Sequence, residues 1–155
     1  MKERVDLVPG RDRKHPWSTQ HAAIGIAANL AMITGGGLIA WSAGIHLKLW
    51  GSGYRSIETI GTLFLLQAIV GFVLAVLVVT LRRLVPALLA IGFLTSTICG
   101  LVISAEVGLF GFKDSFSAPN AGQSLLVEGA GIAVLIVASI LRIRSRRVEL
   151  DPSAD

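Results

Sequence analysis

Charge is scarce in this sequence, and between Glu58 and Arg82 it is missing altogether. Charged residues make up 15% of 155 positions, whereas soluble domains carry about 25%, so an ordinary water-soluble fold is excluded. The one cysteine, Cys99, has no partner for an intrachain disulfide. The chain has no CxxC, no HExxH, no glycine-rich phosphate loop after a strand and no Ser-His-Asp order, so no residue is assigned to catalysis. Histidine is also rare. His15 and His21 are expected on one side of a membrane and His46 on the other, and Met1 and Met32 are poor substitutes as axial ligands. Haem is therefore not expected, nor is a metal or another cofactor.

What the chain has in abundance is uncharged apolar sequence. It is 53% hydrophobic, with a mean hydropathy of +0.71. The run Ile60 to Leu81 reads IGTLFLLQAIVGFVLAVLVVTL and is closed by Arg82 and Arg83. A helix rising about 1.5 Å per residue over that length crosses roughly 30 Å, the thickness of a bilayer core. Three similar stretches predict an all-α membrane protein, an antiparallel four-transmembrane-helix bundle with spans at about 22–45, 60–81, 85–107 and 123–141. Residues 1–21 read as a polar cytoplasmic tail and 142–155 as a basic one, leaving no length for a separate soluble domain. A cleaved leader fits less well, because its apolar segment is about 7–15 residues and the first uncharged run is longer.

The basic residues sit beside the expected helix ends. Lys2, Arg4, Arg11, Arg13, Lys14, Arg82, Arg83, Arg142, Arg144, Arg146 and Arg147 fall on one side, against Lys48, Arg55 and Lys113 on the other. Cytoplasmic loops are the basic ones, so both termini are expected in the cytoplasm. The net charge of +4 then serves topology and anionic lipid rather than nucleic acid, with Arg142, Arg144, Arg146 and Arg147 expected at headgroups. The arginine-rich, alanine- and glycine-rich composition points to a bacterial plasma membrane.

Small residues recur at helical spacing. Gly92, Ser96, Gly100 and Ser104 fall four apart, as do Gln67, Gly71 and Ala75. Such stripes let helices approach closely in lipid, where burial of apolar surface gives no drive. They predict packing between spans, and also assembly with other membrane subunits or self-association. The triplet Gly35-Gly36-Gly37 reads as a close-packed helix contact, with a hinge or ligand gap as the alternative.

The halves resemble each other. Ser42-Ala43 and Ser104-Ala105 end spans one and three, aromatic connections follow, and Gln67 of span two matches Glu128 of span four. Two tandem helical hairpins, a parallel repeat about an axis along the membrane normal, account for this. Glu128 is the most informative residue. It stands roughly 7–8 Å inside the fourth span, where a carboxylate facing lipid costs about 2–3.5 kcal/mol, so it should face the bundle or a wet cavity. Gln67, Glu106, His46 and Arg55 are its expected neighbours in a ligand- or proton-binding site. The alternative is a structural glutamate bonded to Gln67, Ser104 or Arg55.

The run His46-Leu47-Lys48-Leu49-Trp50, with Gly53-Tyr54-Arg55-Ser56-Ile57-Glu58-Thr59-Ile60-Gly61, Phe64-Leu65-Leu66-Gln67 and the later Val107-Gly108-Leu109-Phe110-Gly111-Phe112, resembles small four-span integral membrane proteins of high-GC Gram-positive bacteria. A proline often stands in that pattern where this chain has Glu58. The resemblance implies the architecture and no activity. The sequence thus points first to an accessory or interaction subunit of a membrane complex. A module binding or transporting a quinone-like or proton-linked small molecule near the outer face is the alternative.

Overall fold

A computed structural model describes residues 16–118 and 120–150, with side-chain environments for 22–118 and 120–146. The described chain is helical, with no strand assigned. Its elements are α1 (Pro16–Gly51), a single 3-10 turn (Tyr54–Ser56), α2 (Ile60–Leu81), α3 (Leu84–Glu106) and α4 (Ala121–Leu150). Each of the four helices is long and apolar enough to cross a membrane. Of the expected tails, 1–21 and 142–155, residues 1–15 and 151–155 lie outside the described residues.

Local sequence explains the boundaries. Pro16 opens α1, where a missing amide hydrogen removes no helical bond, and nothing breaks the helix before Gly51-Ser52-Gly53, where Gly53 takes φ 146°. The helix therefore continues past the expected limits at 22 and 45. Between α2 and α3 only Arg82 and Arg83 intervene. Arg82 adopts the left-handed conformation, φ 48°, and its amide donates to Val78 O. The fourth helix runs on through the arginines expected in a tail, since arginine is a good helix former.

Packing is closest where α1 meets α4 and α2, looser between α3 and α4, and looser again between the sequence neighbours α2 and α3; α1 and α3 lie on a diagonal and barely approach. The glycine triplet explains the close side. A side chain at Gly35 would overlap Leu135 of α4, and one at Gly36 would overlap Val79 of α2. Gly71 of α2 leaves room for Ala43 of α1, and Gly131 of α4 for Leu94 of α3. Around these contacts Met32, Ile39, Leu74, Val78, Ala90, Leu94, Leu135 and Ala138 form a buried core, joined by Ala75. The outside is apolar as well: Ile26, Leu30, Trp41, Leu66, Val76, Val85, Leu89 and Leu126 are all exposed. That distribution suits a lipid solvent.

Two placements differ from expectation. Gly92 and Ser96 are exposed, and added methyl groups at Gly92 or Gly100 would meet nothing within 4 Å. The stripe from Gly92 to Ser104 is thus not a close contact within the described chain. The Phe93 ring lies against Gly71, and past that level the facing residues of α2 and α3 line a cavity instead of meeting each other. Of the arginines expected at headgroups, Arg142 is engaged inside the fold. Its Nε and Nη2 donate to Arg82 O at 2.9 and 2.6 Å, capping the carbonyl end of α2. Arg144 and Arg146 are exposed, and the Arg147 side chain lies outside the described set.

Gly36→Val should destabilise the detergent-purified protein by about 1–3 kcal/mol, because the new methyls overpack α1 against Val79. Gly37→Val, in open space, should change stability by about 0.5 kcal/mol or less. Thermal unfolding of the two variants side by side measures the difference.

Candidate functional site

Where α2 and α3 diverge, a cavity of about 330 Å³ opens in the half of the bundle remote from the α2–α3 turn. Its walls are contributed by all four helices. Leu49, Ile60, Leu63, Phe64 and Leu101 are among its apolar residues, and Glu128, His46, Gln67, Thr97, Ser104 and Ser124 supply polarity. Tyr54, Leu109, Phe112, Asp114 and Asn120 come from the two connections at that end.

The polar wall is built from two helical i, i+4 pairs, which place side chains on one face. On α4, Ser124 Oγ donates to Glu128 Oε1 at 2.8 Å. On α1, Ser42 Oγ donates to the same oxygen at 2.8 Å. His46, one turn after Ser42, has Nδ1 2.9 Å from the Ser42 carbonyl. A carbonyl only accepts, so Nδ1 carries a proton, and Nε2 is the nitrogen left to face Glu128 Oε1 at 4.0 Å. Glu128 is 1% exposed and His46 7%. The three contacts to Glu128 all fall on Oε1. Among the described residues Oε2 has no hydrogen bond, yet it is not one of the sealed, unpartnered polar atoms, which are Asn29 Oδ1 and Ser139 Oγ. Glu128 is itself one of the residues that line the cavity.

Aromatic rings close the cavity at its loop end. Phe64 stacks on Tyr54 at 4.7 Å between centroids and lies 5.4 Å from the His46 ring, while Phe112 meets Tyr54 edge-on at 5.8 Å. The second connection is held over the cavity by a tight turn in which Leu109 and Phe112 exchange backbone hydrogen bonds of 2.7 and 2.9 Å. The amide of Asp114 donates to Ser104 Oγ and Ser104 O, both at 3.3 Å. Burial first, and then the nearby Asp114 carboxylate, raise the Tyr54 phenol above its ordinary 10.0.

The structure brings Glu128, Gln67 and His46 into one cavity, but not Glu106 or Arg55, which are both exposed and contribute nothing to its lining. The partners of Glu128 are Ser42 and Ser124, in place of the expected Gln67, Ser104 or Arg55. Ser96, Gly100 and Ser104, read as helix-packing residues, line the cavity instead. Ser124 was legible as the i−4 neighbour of Glu128. Asp114 and Tyr54 carry no such signal, because their loops must fold back to reach the site. Among the described residues no three His, Cys, Asp or Glu side chains converge, and no Lys or Arg lines the cavity.

Fold and site together define a small multi-pass membrane protein with a buried carboxylate in a largely apolar cavity. No family model, curated protein or solved structure matches the chain.

Tyr54 is the single tyrosine of the chain, so phenolate ultraviolet absorbance reads it directly. Its midpoint should lie above 10.0, because the neutral phenol is favoured by burial and by the neighbouring negative charge. In Asp114→Asn the midpoint should fall but stay above the ordinary value, since burial remains. A wild-type midpoint at or below the ordinary value would contradict the packed roof.

Proposed function

We propose that this protein is a plasma-membrane binding module that holds a small organic cation against Glu128. The observation that carries the reading is the geometry of that carboxylate. Oε1 accepts hydrogen bonds from two serine hydroxyls, and Glu128 lines a cavity of about 330 Å³ in which, among the described residues, Oε2 has no hydrogen bond of its own. A buried ionisable group in a membrane span is expensive, and a carboxylate without a matching charge is more so. Glu128 and Asp114 are the lining carboxylates, and the only lining group able to carry positive charge is His46. The ligand that satisfies this balance is positively charged. Phe64, Tyr54 and Phe112 add ring faces, which attract a cation by about 0.5–2 kcal/mol each.

In this reading the helices form an antiparallel bundle with both termini cytoplasmic, and the cavity lies in the outer half of the membrane. Arg82, Arg83 and Arg142 then mark the cytoplasmic end. A role as an accessory subunit stands second. It rests on small-residue faces, and Gly35, Gly36, Gly71 and Gly131 are already used between helices of this chain.

Benzyltrimethylammonium added to the detergent-purified protein should give a saturable signal in saturation-transfer NMR. Glu128→Gln should weaken its binding by about tenfold or more, the scale of one lost charge-assisted contact. Equal affinity in both proteins would refute the carboxylate's role.

A further inference from the structure

We infer that the ligand reaches this site sideways from the bilayer, between α2 and α3, and is therefore an amphiphile: a single-tailed molecule with a cationic head. This rests on the carboxylate reading above and adds the route and the tail.

Of the residues lining the cavity, Leu66 of α2, at 53%, and Ser96 of α3 are the ones exposed on the outside of the bundle. The remaining lining residues are buried or half-buried. A cavity wall that is also outer surface marks a mouth. Leu66 lies six residues into α2, roughly 9 Å from its start, and Ser96 ten residues before the end of α3, roughly 15 Å. That depth is within the apolar band and well below the roof formed by Tyr54, Leu109 and Phe112. The neighbouring outer surface is apolar too: Ile69, Phe72 and Val73 on α2, Val102 and Ile103 on α3 are exposed. A water-borne solute meets the roof, whereas a molecule dissolved in the bilayer meets the gap.

The hairpin repeat read from the sequence gives this gap a counterpart. Under that repeat Ser42 and Glu128 correspond to Ser104 and Gln67, and the α1–α4 contact corresponds to the α3–α2 contact. The first is bridged by the 2.8 Å bond from Ser42 to Glu128. In the second, Ser104 is taken by the Asp114 amide, and among the described residues no hydrogen bond joins it to Gln67, which lines the same cavity. One of two equivalent seams is closed and the other is open. The head of the ligand would sit between Glu128 and the aromatic roof. Its tail would leave between Leu66 and Ser96 into lipid.

The test uses the full chain in lipid nanodiscs, with radiolabelled dodecyltrimethylammonium and tetramethylammonium measured by equilibrium dialysis against protein-free discs. Expected is saturable binding of the long-chain cation, with tetramethylammonium about tenfold weaker or more. Ser96→Phe, at an exposed position, should weaken the long-chain cation similarly by filling the mouth, and Ile103→Phe should not. Equal binding of both cations, with no effect of Ser96→Phe, would overturn the bilayer route and leave the carboxylate site standing. Saturable binding of neither cation would overturn the carboxylate reading itself. Dodecanol binding as tightly as the long-chain cation would overturn selection by charge.

Discussion

Glu128 is the constraint around which the half of the bundle remote from the α2–α3 turn is arranged. A carboxyl group at 1% exposure in a span with no other charge has to find donors within the protein, since lipid offers none. Ser124 answers from the same helix and Ser42 from α1. The second of these fixes the α1–α4 register: Ser42 meets Glu128, while Gly35, seven residues earlier, meets Leu135, seven residues later. With α1 and α4 drawn together by small residues and a shared hydrogen bond, α2 and α3 take up the remaining space. The Phe93 ring lies against Gly71, and past it their facing residues line the cavity.

The consequence is an asymmetric bundle. Near the α2–α3 turn it is close-packed, with Arg142 bonded to the Arg82 carbonyl. At the other end apolar walls surround a few polar atoms held in place by their own helices. Loops complete that end, and their aromatic residues stack on each other and on the His46 side of the cavity. A rigid base carrying a preformed, mostly apolar recess with few polar groups is the general form of a small-molecule site.

Much of this was legible in the residues, and the exceptions are instructive. The span 60–81 was read to its ends because Glu58 and Arg82 bracket an uncharged run of the right length. The ends of α1 and α4 were not, because hydropathy marks where lipid stops and helical propensity continues beyond it. Glu128 stood out because an ionisable residue in an apolar run is costly. Its partner Ser42 lies 86 positions away, and no periodicity within one helix reveals such a pair. Glu106 and Arg55 were grouped with it by depth alone, which fixes height along the bundle and leaves the facing undetermined. The Gly92–Ser104 stripe shows the same limit: small residues permit close approach without enforcing it, and at Gly92 and Gly100 no neighbour within the described chain takes up the space.

The most direct measurement of the central claim is a double-mutant cycle between Ser42 and Glu128, using Ser42→Ala, Glu128→Leu and the double variant in unfolding of the detergent-purified protein. Hydrogen bonds between membrane helices average about 0.6 kcal/mol and reach about 1.7, and a shared buried carboxyl oxygen belongs at the upper end. The account predicts a coupling of about 1 kcal/mol or more. A coupling indistinguishable from zero would mean that Glu128 does not join α1 to α4, and that the cavity does not depend on it.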